Sequence, residues 1–221
     1  MTVFSIPSRK MYGFHRNWVA NIVKNIRRLA LQKRITPKQI SRMPLTTYDG
    51  EIVVVRDASS AETSVDVLLQ ENILGFDIES RPAFSKGESY APSLMQLAGR
   101  NRVYIFMLSK IGGLSPLKPV LEDDRIAKVG AAVDHDIQNL FKIEKFDARG
   151  FNDLGTLSKQ LKIVHTGLRN LAAIFLRLRI SKKSQLTDWS QEILTPHQIT
   201  YAATDAWVSR EIFVKMTKYL P

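Results

Sequence analysis

The sequence predicts one α/β domain of three layers, a central mixed sheet flanked by helices, behind a basic helical N-terminal arm. Three observations carry this expectation. The run Ile73–Ile78 is nearly continuous in apolar residues, the texture of a central strand covered on both faces. Leu94–Ala98 and Val103–Met107 flank Gly99-Arg100-Asn101-Arg102, a hairpin pattern. Beyond them, short apolar strands alternate with helical segments, as a layered α/β domain requires.

Taken in order, the elements follow from local rules. In the arm, Trp18, Val19, Ile22, Val23, Ile26, Leu29 and Ala30 recur at helical spacing with Lys24, Arg27 and Arg28 on other faces, an amphipathic basic helix. Thr36-Pro37-Lys38-Gln39 starts a short second helix through a capping box with proline at its first position, and Pro44 closes it. Ile52–Val55 is β-branched and reads as a strand, Ala61–Gln70 as a helix. After the hairpin come helix Pro116–Leu121, strand Ile126–Val129, helix Asp136–Phe141 and a short strand at Phe151–Leu154. The remainder is helical: Gly155–Leu161, Leu168–Leu176, and Pro196–Tyr219 behind a second capping box, Thr195-Pro196-His197-Gln198. The division expected is an arm over 1–48 and a body over 49–221.

At 221 residues the chain suits one domain with some length to spare. A hydrophobic fraction of 44% and a charged fraction of 24% are ordinary for a globular protein. Its apolar runs fall far short of the roughly 20 residues of a membrane span, and Arg9, Lys10 and Arg16 break any signal-peptide core. With no cysteine, disulfides and thiolate metal sites are excluded. The four histidines form no HxxxH or HxH pair, so any metal is expected to be a hard ion held by oxygen. Of the net charge of +11, residues 1–48 carry +10 and contain no acid, which leaves about +1 for the body. That asymmetry points to a polyanion, a membrane surface or a targeting role for the arm.

Three local patterns carry chemistry. In Phe76-Asp77-Ile78-Glu79, strand alternation puts Asp77 and Glu79 on one face, about 7 Å apart along the strand. Two carboxylates ending a buried strand repel one another and resist desolvation unless a cation sits between them; a strand that simply ends in solvated acids is the alternative. In Tyr201-Ala202-Ala203-Thr204-Asp205 a phenol and a carboxylate share a helix face, and the small residues around them allow close packing on a sheet. Taken alone, a solvated Tyr/Asp pair is the simpler reading of that spacing. In Lys128-Val129-Gly130, a strand ends in glycine and Asp136 follows in a helical first turn, where an acid is favourable in its own right.

Joined in the order D-x-E, D, Y-x-x-x-D, these patterns resemble the DEDD exonuclease superfamily with its ribonuclease-H-like fold. Position Thr200 stands where a histidine would mark the other branch, so the resemblance is to the tyrosine type. Gly75–Glu79 followed by Arg81-Pro82, then Ser93–Ala98, Asp188-Trp189-Ser190 and Leu194-Thr195 are similar to the Werner-syndrome-type exonuclease domain, with ribonuclease D a more distant relative. The likeness covers roughly residues 50–220. It implies that Asp77, Glu79 and Asp205 hold one Mg²⁺ or Mn²⁺ and that Asp77 with Asp136 holds a second. Two such ions about 3.5–4 Å apart would activate water and stabilise the leaving oxygen, with Tyr201 orienting the attack. The expected substrate is a nucleic-acid 3′ end, DNA ahead of RNA, with nucleoside 5′-monophosphates as products. No nameable residue decides how the site treats a 2′-hydroxyl, and an RNA-processing exoribonuclease is the neighbouring alternative. Lys182 and Lys183, where the Werner-type domain also carries basic residues, are the candidate nucleic-acid-binding residues, since positive charge there could meet the phosphate backbone; a solvated loop is the alternative. Met95 or Leu97 could wedge near the terminal base, with core packing the simpler role. One departure is Ser80, where some relatives carry tryptophan; it removes a stacking surface and leaves the acids intact.

From a different class, a catalytically silent nucleic-acid-binding module on the same fold is the alternative. It has no reason to keep Asp77, Glu79, Asp136, Tyr201 and Asp205 together. The arm fits a basic appendage that grips nucleic acid, a mitochondrial presequence or, least well, a membrane-surface helix. The capping box at Thr36 favours a folded appendage. The expected location is accordingly cytoplasmic, or mitochondrial if the source is eukaryotic and the arm is a presequence.

Overall fold

A computed structural model describes residues 31–85 and 87–220. The amphipathic helix read over Trp18–Ala30 lies outside the described residues. Six strands form one sheet in the order β1-β4-β3-β2-β5-β6. They are β1 (Glu51–Val55), β2 (Ile73–Ser80), β3 (Pro92–Ala98), β4 (Arg102–Met107), β5 (Ala127–Gly130) and β6 (Phe151–Asp153). β2, β3 and β4 run antiparallel in sequence, while β1 joins β4, β5 joins β2 and β6 joins β5, all in parallel. The sheet is therefore mixed, as the sequence predicted. The helices are α1 (Pro37–Ser41), α2 (Ala58–Leu68), α3 (Lys118–Leu121), α4 (Val133–Leu140), α5 (Leu154–Gln160), α6 (Leu168–Leu176) and α7 (Pro196–Met216).

Strand alternation sorts the core into layers. Leu74, Phe76, Met95, Leu97, Tyr104 and Phe106 face α2 and the start of α4, in one cluster with Ala61, Val65, Leu68 and Ile137. On the other face, Leu94, Ala98, Ile105 and Met107 meet Ala202, Ala203 and Ala206 of α7. A third cluster joins α5, α6 and the outer side of α7 and includes Ile35 and Ile40. Met95 and Leu97 are thus core residues on the face opposite Asp77, and the wedge role suggested for them is corrected.

Helix starts differ from expectation where a side chain reaches back to cap them. α2 begins at Ala58 rather than Ala61, because Asp57 accepts from the Ser60 amide at 2.8 Å. α4 begins at Val133 rather than Asp136. Its N-cap, Ala132, is left-handed (φ 63°) and offers no side-chain cap, and the Val133 amide donates instead to Asp153 at 3.2 Å. Part of the segment expected as helix Pro116–Leu121 is a 3₁₀ turn, Ser115–Leu117, ahead of α3.

Residues 33–48 lie against the body. The Val164 amide donates to the Lys33 carbonyl at 3.0 Å, the Thr46 amide donates to the Arg179 carbonyl and the Arg179 amide to the Pro44 carbonyl, each at 3.0 Å, and the Tyr48 amide donates to Thr204 Oγ1 at 2.9 Å. Burial of Ile35 and Ile40 (3% and 8% exposed) explains why this stretch settles on α6 and α7 although it is strongly basic.

The sheet meets α7 at unusually close range. A Cβ placed on Gly75 would stand 1.9 Å from the carbonyl oxygen of Ala206. Only glycine on the strand and alanines on the helix permit that approach. Gly75→Ala is expected to cost about 3 kcal/mol or more in urea unfolding, at the upper end of overpacking penalties because the opposing atom is backbone; an unchanged midpoint would show that α7 can shift away freely.

Candidate active site

The close approach at Gly75 decides what gathers beside it. Asp77 and Glu79 follow Gly75 on the same face of β2, and Asp205 precedes Ala206 on α7. One carboxylate oxygen from each of Asp77, Glu79 and Asp205 lies within 4.8 Å of the others. The sequence pairs D-x-E and Y-x-x-x-D therefore meet in space. Asp136, in the first turn of α4, stands outside that tight trio yet close enough for its charge to act on Asp77 and Glu79.

The cluster is electrostatically expensive. Burial, then the charges of Glu79, Asp205 and Asp136, push the Asp77 carboxyl well above its usual range. Burial followed by Asp205 and Asp136 raises Glu79 to about 9. Asp136 rises to about 7 through burial and the charge of Asp153. Burial lifts Asp205 to about 7 against a hydrogen bond from Tyr201 and the charge of Lys182, which pull it down. Asp205 is 8% exposed and its Oδ1 has no hydrogen-bond partner. A buried carboxylate oxygen without a donor, beside two further carboxylates, is a donor set that suits a hard divalent ion. The residues present therefore fit such an ion.

Tyr201 stands one turn before Asp205, and its ring centroid lies 5.8 Å from that of Trp189, which is fully buried. Burial and the charges of Asp205 and Glu79 push the phenol above its ordinary range, so it stays protonated. The capping box forms as expected: Gln198 N donates to Thr195 Oγ1 at 3.2 Å and Thr195 N to Gln198 Oε1 at 3.0 Å. Gln198 Nε2 then donates to the Asp188 carbonyl at 2.9 Å, which ties the loop carrying Lys182 and Lys183 to the first turn of α7. Lys182 lines one cavity and Lys183 a second, and Tyr201 and Asp205 line both.

Two residues near the acids escaped the sequence reading. Asp153 ends β6 and accepts from Thr156 N at 2.6 Å and Val133 N at 3.2 Å, so it caps α5 and secures the start of α4 that carries Asp136. Burial opposes its ionisation, but the amides of Thr156, Val133 and Ala132 hold it below the usual range. The signal was present as an N-cap pattern, Asp153-Leu154-Gly155-Thr156. Gln96 pairs across the sheet with Asp77, is fully buried, and neither amide atom has a hydrogen-bond partner. A polar residue inside Leu94–Ala98 was visible, but its neighbour across the strand was not.

With this geometry in view, comparison with known proteins is decisive. The family model for the 3′–5′ exonuclease domain matches residues 52–221. The chain belongs to the 3′–5′ exonuclease family. It is similar to the mouse (Mus musculus) bifunctional 3′–5′ exonuclease/ATP-dependent helicase WRN, 28% identical over 184 residues, covering 79% of this chain and 13% of that protein. It is also similar to DNA polymerase I of Aquifex aeolicus, 28% identical over 127 residues, covering 58% of this chain and 22% of that one. The chain thus spans a small part of the length of these two relatives. In fold it is similar to Escherichia coli RNase D, an exoribonuclease involved in structured RNA processing (TM-score 0.68, 21% identity, covering 76% of this chain and 44% of that one). This exonuclease fold is the ribonuclease-H-like architecture expected from the D-x-E and Y-x-x-x-D patterns.

Because the folded pKa values of these acids are raised, their protonated forms are favoured by folding. Their contribution to stability is complete below the unfolded values near 4 and is lost as pH rises through about 7 and then about 9. The metal-free protein is therefore expected to melt at progressively lower temperature from pH 5 to pH 9. Mn²⁺ should restore more of that loss at pH 8 than at pH 6, since metal uptake displaces protons. Asp77→Asn, by removing one like charge, should raise the metal-free midpoint at pH 8 by about 2–8 °C and erase most of the Mn²⁺ response. A drop in the midpoint in thermal-shift measurements would contradict this electrostatic account.

Proposed function

We propose that this chain removes nucleotides singly from the 3′ end of a nucleic-acid strand by metal-dependent hydrolysis and releases nucleoside 5′-monophosphates. The observation that carries the reading is the convergence of Asp77, Glu79 and Asp205 in a chain of the 3′–5′ exonuclease family. In this reading Asp77, Glu79 and Asp205 hold one divalent ion, Mg²⁺ or Mn²⁺, and Asp77 with Asp136 holds a second. Such ions supply Lewis-acid charge and make water acidic enough to serve as a nucleophile near neutral pH.

The protein's own groups then have separable tasks. Asp77 and Glu79 sit on a buried strand that fixes their spacing, and Asp205 enters from α7, so the three cannot drift apart without moving the core. Tyr201 remains protonated and donates or accepts a hydrogen bond that aligns the attacking water or a phosphate oxygen. Its packing against Trp189 limits its rotation. Asp153 keeps Asp136 in reach by holding the first turn of α4. In the reaction the water oxygen bonds to phosphorus, the bond from phosphorus to the 3′ oxygen breaks, and that oxygen takes up a proton.

We place DNA ahead of RNA as substrate. The DNA polymerase I of A. aeolicus is a relative in sequence, whereas RNase D is similar at 21% identity, which speaks to fold. The test is a 5′-labelled strand of DNA, and one of RNA, incubated with Mg²⁺, Mn²⁺ or chelator. A one-nucleotide ladder that needs metal is expected, absent in Asp77→Asn and slowed about 10²-fold or more in Tyr201→Phe. A strand that is bound but never shortened would replace this reading with a silent binding module.

A further inference from the structure

A cavity of about 410 Å³ opens directly onto Tyr201 and Asp205. That volume is in the range of sites for small organic ligands. One side is the start of α6, where Gly167, Leu168, Arg169 and Asn170 line the space. The opposite side comes from α1, through Pro37, Ile40 and Ser41. The match to the family domain begins at residue 52, so this second wall lies ahead of it.

The trough is cationic, although the charge of Lys182 also acts on Asp205. Arg169, Arg179 and Lys182 line it, and among the described residues none of the three stands in a salt bridge. Arg179 is committed to structure: its Nε donates to the Met43 carbonyl at 2.9 Å, which pins the segment that follows α1. Arg169 is different. Its side chain lines the cavity while its Nε is buried without a hydrogen-bond partner, a cost that an anion drawn to the guanidinium would offset. The nine-residue helix α6 begins at Gly167 with no side-chain cap, so the positive end of its dipole also faces the trough. At the inner end, Asp205 is more than nine-tenths buried with Oδ1 unpartnered.

We propose that residues 37–41, ahead of the exonuclease domain, form the outer wall of the substrate channel, and that the backbone of a single nucleic-acid strand runs from the acid cluster between this wall and α6, its phosphates on Arg169 and Lys182. The inference rests on the exonuclease reading and adds the path of the strand. The anchoring of the wall supports it. Ile35 and Ile40 are buried with Leu171, Ile174, Val208 and Ile212, and the Thr46–Arg179 and Tyr48–Thr204 hydrogen bonds fix the segment at its far end.

The experiment uses the full chain and two variants, Arg169→Gln in α6 and Ser41→Glu, whose exposed side chain lies in the last turn of α1. Each is assayed on a 12-nucleotide single strand, as DNA and as RNA, and on the p-nitrophenyl ester of thymidine 5′-monophosphate, which reaches only the acids. The kcat/KM of each variant should fall about ten-fold more on the 12-mer than on the ester. The loss should be alike for DNA and RNA, because the contact is to phosphate. Equal losses on ester and 12-mer, or none on the 12-mer, would overturn the proposal. A loss confined to one nucleic acid would assign Arg169 to sugar or base and overturn the phosphate contact. If the parent protein hydrolyses neither substrate, the exonuclease reading fails separately, and anisotropy with the labelled 12-mer still judges the channel. Arg169→Gln must then weaken binding and lower the slope of log Kd against log salt by about 0.7; an unchanged slope overturns it.

Discussion

The backbone contact between Gly75 and Ala206 is the constraint on which the rest of the site depends. It brings α7 onto β2 with no side chain between them. Asp205 therefore stands beside Asp77 and Glu79 at carboxylate-to-carboxylate range rather than one layer of side chains away. The alanines at 202, 203 and 206 serve the same end, since they are buried against Leu94, Ala98 and Ile105 and add little thickness. Glycine at this position has a packing reason, and its cost in chain entropy is accepted for proximity.

Proximity of this kind works against stability. Four carboxyls are held where burial and mutual repulsion oppose their ionisation, and Gln96 and Trp189 add buried polar atoms without partners close to the same helix. The hydrophobic clusters on either face of the sheet provide the surplus that holds the acids together. Asp153 is the one acid of the neighbourhood held below its ordinary range, because it receives backbone amides from two helix starts. A stably charged residue thereby positions one whose charge is adjustable. This division between an ionised carboxyl and readily protonated ones is written in their hydrogen bonds more than in their locations.

Much of this was legible in the residues. Period-two alternation put Asp77 and Glu79 on one face, the i, i+4 rule joined Tyr201 to Asp205, and both capping boxes formed where Thr36 and Thr195 announced them. The small residues of α7 correctly foretold close packing on the sheet. Contacts between distant segments could not be read in this way. Nothing in Gly75 says that residue 206 will lie on it, and nothing in Gln96 names Asp77 as its partner. The basic stretch before residue 49 read as an arm because its charge dominates its composition. Ile35 and Ile40, which seat residues 33–48, matter only once α6 and α7 supply a surface for them. Helix starts at Ala58 and Val133 moved for a related reason, since Asp57 caps locally whereas Asp153 reaches Val133 from another strand.

The account as a whole holds that packing at Gly75 builds a carboxylate trio whose fit is for a divalent cation. Mn²⁺ binding measured by electron paramagnetic resonance on the full chain tests this most directly, with Asp205→Asn and Gly75→Ala beside the parent. The account predicts that the parent binds Mn²⁺, that Asp205→Asn loses most of that affinity while remaining folded, and that Gly75→Ala loses it although all the acids are present. Undiminished Mn²⁺ binding in Asp205→Asn would contradict it, because the ion would then be held without the residue that α7 delivers.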